Sequence, residues 1–148
     1  MIAAEAWTAT PDWRHAVPLR AIDAYRAAPD DAGGWSVEAR LAVRDDGEML
    51  RGHFPGLPIY PGVYLVESVV QAVAAAVGAS ALALRELRSV RFVAALRGGE
   101  TLALTAGATP LGEGCWRVTA HCRRDTGDLA AEVKADLGPL WPVEARDA

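Results

Sequence analysis

The stretch GHFPGLPIYPGVYLVESVVQA, Gly52 to Ala72, decides the fold. Its first half sets Pro55, Pro58 and Pro61 with Gly52, Gly56 and Gly62 around one histidine, His53. Proline fixes its own φ and pushes the preceding residue out of the helical region, so no regular element is expected before Gly62. From Gly62 a helix is expected. Val63, Tyr64, Leu65, Val66, Val69, Val70, Val73 and Val77, with Ala72 and Ala74 to Ala76, make it apolar on nearly every side, the pattern of a helix buried all round. It is shorter than the about 20 residues that span a bilayer. Only Glu67, Ser68 and Gln71 interrupt the apolar surface, and Glu67 and Gln71, four apart, share one side. An ionised acid buried without a partner costs several kcal/mol, so Glu67 must be neutral, paired or functional.

A chain of 148 residues suits one domain with a sizeable core, expected over 1–148 with irregular ends at 1–14 and 138–148. Hydrophobic residues at 51% and charged residues at 23% place it among folded globular chains. The formal net charge of −4 and the absence of a basic tract argue against a nucleic-acid footprint. Cys115 and Cys122 lie seven apart on one expected strand, hence on opposite faces, so neither a disulfide nor a metal pair is expected. With no signal-like start and no membrane-spanning run, the expected location is cytoplasmic, where free thiols persist.

Outward from the helix, Ser36 to Arg44 alternates Val37, Ala39, Leu41 and Val43 against Ser36, Glu38, Arg40 and Arg44, a half-buried strand. His15 to Arg26, with Val17, Leu19 and Ile22, reads as an opening strand or a strand with a turn of helix. Pro29, Asp30, Asp31, Gly33 and Gly34 form the turn that follows. On the far side, Gly78 is placed to cap the helix and residues 79–84 carry no assignable pattern. Leu87 to Leu96 is expected as a strand turning at Gly98-Gly99 into Thr101 to Ala108. Two further alternating strands follow, at Cys115 to Arg124 and Leu129 to Leu137. Short turns join antiparallel neighbours. The pattern is α+β: a curved antiparallel sheet wrapped around one helix, with a second copy of the chain covering the rest.

The string from His53 to Gln71 resembles the hallmark of the hotdog-fold 3-hydroxyacyl-acyl-carrier-protein dehydratases, the beta-hydroxyacyl dehydratases of type II fatty-acid synthesis and their polyketide-pathway relatives. The segment RSVRFVAALRGGETL, Arg88 to Leu102, resembles a later strand-and-turn region of that family but lacks its proline-glycine-aspartate turn. The resemblance implies a catalytic histidine at His53 and a catalytic acid at Glu67. It also implies a thioester-oxygen donor at the Gly62 amide, a supporting glutamine at Gln71, and a site shared between two subunits. It implies no cofactor and no metal. The implied reaction removes water from a (3R)-3-hydroxyacyl chain on an acyl carrier protein, giving the trans-2-enoyl thioester. Glutamate rather than aspartate at position 67 looks like the dehydratase-only branch.

The chemistry is consistent with those residue types. Such a dehydration needs a base for the proton beside the carbonyl, an acid for the departing hydroxyl, and a donor at the thioester oxygen. An imidazole is largely neutral at neutral pH, a carboxyl on an apolar helix tends to keep its proton, and a first-turn amide favours developing negative charge. Phe54, Tyr60 and Tyr64 are expected along the acyl tunnel. Arg85, Arg88, Arg91 and Arg97 are either a solvated face or a docking patch for an acidic acyl carrier protein. Alternatives stay open: His53 as a solvated loop residue, Glu67 in an ion pair with Arg51 or Arg91, Gln71 serving only backbone groups, His15 and His121 without chemistry. At the level of the whole chain, the alternatives are a hotdog acyl thioesterase and a catalytically silent hotdog subunit that binds acyl chains or an active partner.

Overall fold

The helix begins where the prolines end. The computed structural model describes residues 7–10, 20–44, 59–79 and 81–139, and in it Pro61 is the extended N-cap (φ −61°, ψ 144°) of α1, Gly62–Val77. Six valines in sixteen residues make poor intrinsic helix formers, so tertiary burial rather than propensity holds α1 together. Gly78 ends it at φ 72°, a left-handed conformation that suits glycine. The amides of Gly78 and Ala79 return to the carbonyls of Ala75 and Ala74, a Schellman closure.

Among the described residues, seven strands are present: β1 (Thr8–Ala9), β2 (Ala24–Pro29), β3 (Trp35–Ala42), β4 (Leu82–Phe92), β5 (Thr101–Gly112), β6 (Cys115–Arg123) and β7 (Leu129–Pro139). They form one antiparallel sheet in the order β1-β2-β3-β5-β6-β7-β4. One face packs on α1, which touches β2, β3, β4, β5 and β7. The alternation read from the chain is what fills that face. Val37, Ala39 and Leu41 of β3, Leu102 and Leu104 of β5, Val118 and Ala120 of β6, and Val133, Ala135 and Leu137 of β7 are buried against Leu65, Val69 and Val73. Val43, just past β3, is buried with them.

Three expectations need correction. The strand expected at Leu87 to Leu96 runs over Leu82–Phe92 and does not pair with β5 through a Gly98-Gly99 turn. It pairs with β7 at the sheet edge, while residues 93–100 carry the chain back to the sheet centre. Leu96 enters the core on the way, its carbonyl accepts the Tyr60 amide (2.7 Å), and Gly99 donates to the Val43 carbonyl (2.7 Å) instead of closing a hairpin. Secondly, of the segment His15 to Arg26, the described residues place a strand only from Ala24, in Ala24–Pro29, so Pro29 closes a strand and the turn begins at Asp30. Thirdly, the ends are not irregular as far as they are described. Thr8 and Ala9 pair with Tyr25 and Ala24, with the guanidinium groups of Arg26 and Arg40 at 4.5 and 4.7 Å from the centre of the Trp7 ring, and β7 continues to Pro139. In the single chain the first turn of α1 leaves Val63 69% exposed. Among the described residues, no helix is long and apolar enough to cross a membrane.

Candidate active site

Helix periodicity puts Glu67, Ser68 and Gln71 on one side of α1, facing the segment that leads into β2. Glu67 is half-buried. Its Oε1 accepts a hydrogen bond from Gln71 Nε2 at 3.0 Å, the contact expected from the spacing. Gln71 is 7% exposed, and its Oε1 accepts the Ala21 amide at 2.8 Å. That donor fixes which way the carboxamide points: its oxygen is committed to Ala21, so its nitrogen must face Glu67. Gln71 therefore does both things considered for it, supporting the acid and satisfying backbone. Arg91, one of the two ion-pair partners considered for Glu67, meets Glu132 at 4.0 Å instead. The other, Arg51, lies outside the described residues, as do His53, Phe54 and His15.

Ser68 carried no expected role. It is fully buried, and its Oγ donates to the Ala21 carbonyl (2.7 Å), with the Tyr64 carbonyl at 3.0 Å and the Tyr60 hydroxyl at 3.1 Å. Burial pushes the Tyr60 phenol up to about 12, so it keeps its proton and serves as a donor at any physiological pH. The one sign of this in the chain is that Ser68 and Gln71 stand three apart on a helix that is apolar but for them and Glu67.

At the amino end of α1, an open groove of about 500 Å³ is lined by apolar groups, among them Ile59, Val63, Leu65, Phe92 and Val93, with Tyr60 and Gly62. Helix geometry gives the Gly62 amide no intrahelical acceptor, and the dipole there favours negative charge. Gly62 is also a point of close approach: a Cβ at this position would lie 2.6 Å from Phe92 Cζ. The ring of Phe92, itself half-exposed, thus covers the start of the helix. Tyr64 packs edge-on against Tyr60, ring centroids 5.5 Å apart.

The four arginines are all exposed. Arg85 and Arg88 fall at the two register shifts of β4, where the strand carries an extra residue, and Arg91 follows on the same edge. Arg97 sits beyond it, bridged through Ile59 to the chain entering α1. Acids of β7 face this edge: Glu132 meets Arg91, and Asp136, which Arg117 holds in a two-pronged pair, also feels Arg88. Cys122 is buried, Cys115 is half-buried, and both are free thiols. His121, for which no chemistry was expected, lies 3.4 Å from Glu132 on the outer face of the sheet.

The family model described as ApeI-like, "ApeI dehydratase", matches residues 29–127, which include the whole Gly52 to Ala72 stretch. Two 3-hydroxyacyl-[acyl-carrier-protein] dehydratases named FabZ, from two strains of Cereibacter sphaeroides, are 30% and 32% identical to the chain. Each match spans 81% of this chain and 80% of the relative. Among solved structures, the dehydratase heterocomplex ApeI:P from Xenorhabdus doucetiae aligns with a TM-score of 0.59 at 23% identity, over 70% of this chain and 87% of that one. An uncharacterised protein from Erwinia carotovora subsp. atroseptica aligns at 0.62, also at 23% identity, over 78% and 93%. The structural likenesses show a shared fold, the hotdog sheet around a central helix. With the family match over two thirds of its length and the FabZ relatives beside it, the chain belongs to the ApeI-like family of hotdog dehydratases.

Proposed function

We propose that this protein removes water from a (3R)-3-hydroxyacyl chain carried on an acyl carrier protein, with His53 as base, Glu67 as acid and the Gly62 amide at the thioester oxygen. The observation that carries the reading is the pairing of Glu67 with Gln71, which holds a half-buried carboxyl in one orientation on an otherwise apolar helix. Because Gln71 donates to Oε1, that oxygen keeps its lone pair for the amide, and the transferable proton sits on Oε2. His53 takes the proton from C2. The electron pair passes through the enolate, whose oxygen the Gly62 amide stabilises, and returns to form the C2–C3 double bond as the C3–oxygen bond breaks. The departing hydroxyl leaves as water with the Glu67 proton, and proton transfer from the imidazolium to the carboxylate resets the pair.

The groove at Gly62 supports an apolar acyl chain as substrate, and its openness in a single chain supports a second subunit closing it. The exposed apolar groups point the same way. Val63, Phe92 and Val93 lie at the mouth, and Leu84 and Leu87 lie along the edge strand β4. In this reading Glu67 of the partner subunit completes the site formed by His53 and Gly62. The partner is a second copy or a related hotdog chain; the ApeI:P structure is likewise a dehydratase heterocomplex. Arg85, Arg88, Arg91 and Arg97 along the same edge would meet an acidic carrier protein. Intact-protein mass spectrometry of carrier-bound 3-hydroxyacyl substrates tests the reading. Loss of one water is the expected result; release of free carrier protein would indicate a thioesterase instead.

A further inference from the structure

Two side chains of α1, Ser68 and Gln71, grip the backbone of one residue outside the helix. Ser68 Oγ donates to the Ala21 carbonyl and Gln71 Oε1 accepts the Ala21 amide, so both polar backbone groups of Ala21 are bound by helix positions three apart. Ala21 is fully buried, where an unmet amide or carbonyl would cost its desolvation. The hydroxyl protons decide the direction of the chain of bonds. Ser68 has one proton to give, and its shortest contact is the Ala21 carbonyl. The Tyr60 phenol, kept protonated by burial, then donates to Ser68 Oγ at 3.1 Å, nearer than its other acceptor, the Tyr64 carbonyl at 3.4 Å. The series runs from Tyr60 to Ser68 to Ala21, and from the Ala21 amide through Gln71 to Glu67 Oε1.

The next two residues are anchored on their other side. The Ile22 carbonyl accepts from Thr10 Oγ1, the Asp23 amide donates to the Arg40 carbonyl, and Asp23 Oδ2 accepts the Ala42 amide. Residues 21–23 thus form a bracket fixed to Thr10, just past β1, and to β3, and Ser68 and Gln71 fasten α1 to it. We infer that Tyr60 and Ser68 are positioning residues for Glu67, acting through the Ala21 backbone and the Gln71 carboxamide. This rests on Glu67 being the proton donor. Tyr60 thereby has a task beyond lining a tunnel, and Ser68 has one that its place among apolar residues does not announce.

The test compares turnover and melting of Tyr60→Phe, Ser68→Ala and the double variant, with Glu67→Gln alongside. Loss of the Ser68 hydroxyl is expected to lower kcat about tenfold, and loss of the phenol oxygen about threefold, with KM within about twofold of wild type. Because the two act in series, the double variant should match Ser68→Ala rather than multiply the two losses. Tyr60→Phe keeps the ring and its packing, so it reports even if Ser68→Ala folds poorly. Wild-type kcat in a folded Tyr60→Phe and Ser68→Ala, with only the melting temperature lowered, would show a merely structural network and overturn the proposal. Wild-type turnover in Glu67→Gln would instead remove the proton-donor reading, and the proposal with it.

Discussion

Gln71 Nε2 lies 3.0 Å from Glu67 Oε1, and the orientation that makes this contact is imposed from the far side by the Ala21 amide. A group that only packed at position 71 would break both bonds. Gln71→Met keeps the length and removes the donor and the acceptor, leaving the buried Ala21 amide unmet at a cost of about 1–3 kcal/mol. Urea unfolding should show that loss, and turnover should fall by more than tenfold, on the order of a misplaced catalytic group. Unchanged stability together with unchanged turnover would contradict the arrangement.

The approach of Phe92 to Gly62 gives a second expectation. A methyl at position 62 would collide with the ring at 2.6 Å, but the ring is half-exposed and can swing aside into the open groove that it lines. Alanine also suits a helix better than glycine, by at most about 1 kcal/mol at this first helical position. Gly62→Ala should therefore melt within a few degrees of wild type yet raise KM, because the displaced ring enters the apolar groove. Removing the ring in Gly62→Ala with Phe92→Ala should recover part of the loss, a coupling that a double-mutant cycle measures.

The two thiols should react differently. Burial raises the Cys122 thiol to about 12 and hides it in the core, while Cys115 is half-buried at the start of β6. The thiolate is the reactive form, so a maleimide at pH 7 should label Cys115 alone, with Cys122 reacting only after denaturation. Equal labelling rates in the native state would show that the sheet interior opens readily.

Acid should weaken the fold through two carboxyls. Arg124 beside Glu100 and Arg117 beside Asp136 hold both below their usual range. A carboxyl with a lower folded pKa contributes stability that is complete above its unfolded value, near 4, and is lost as pH falls through the folded value. Melting temperature should drop below about pH 4.5, and Glu100→Gln with Asp136→Asn should flatten that acid limb. An acid limb identical to wild type would show that these pairs are too solvated to matter.

Much of this architecture is legible in the chain because period-two alternation reports which side of a strand is wet. Val37 to Val43 and Leu129 to Leu137 are placed that way, and Gly62 and Gly78 mark both ends of α1. The partner of β4 is not legible. Gly98-Gly99 has the composition of a hairpin turn, but the burial of Leu96 and the bond from Gly99 to Val43 draw the chain toward β3, and β4 is left to pair with β7. The bond between Glu67 and Gln71 follows from helix spacing alone. The hold of Ser68 on Ala21 does not, because it joins a side chain to a backbone group 47 residues away, and backbone groups carry no sequence signal. Phe92 over Gly62 is hidden for a related reason, since it depends on how β4 leaves the sheet.

The most direct test of the central claim is complementation between two inactive variants. His53→Ala and Glu67→Gln, each assayed alone on a carrier-bound 3-hydroxyacyl substrate, should lose water release by about a hundredfold or more. Unfolded together and refolded as a mixture, they should regain about a quarter of wild-type turnover, because half the dimers are mixed and each of those carries one intact site. Wild-type turnover in either variant alone would contradict the assignment of base and acid. Inactive variants that stay inactive after mixing would contradict the sharing of the site between subunits.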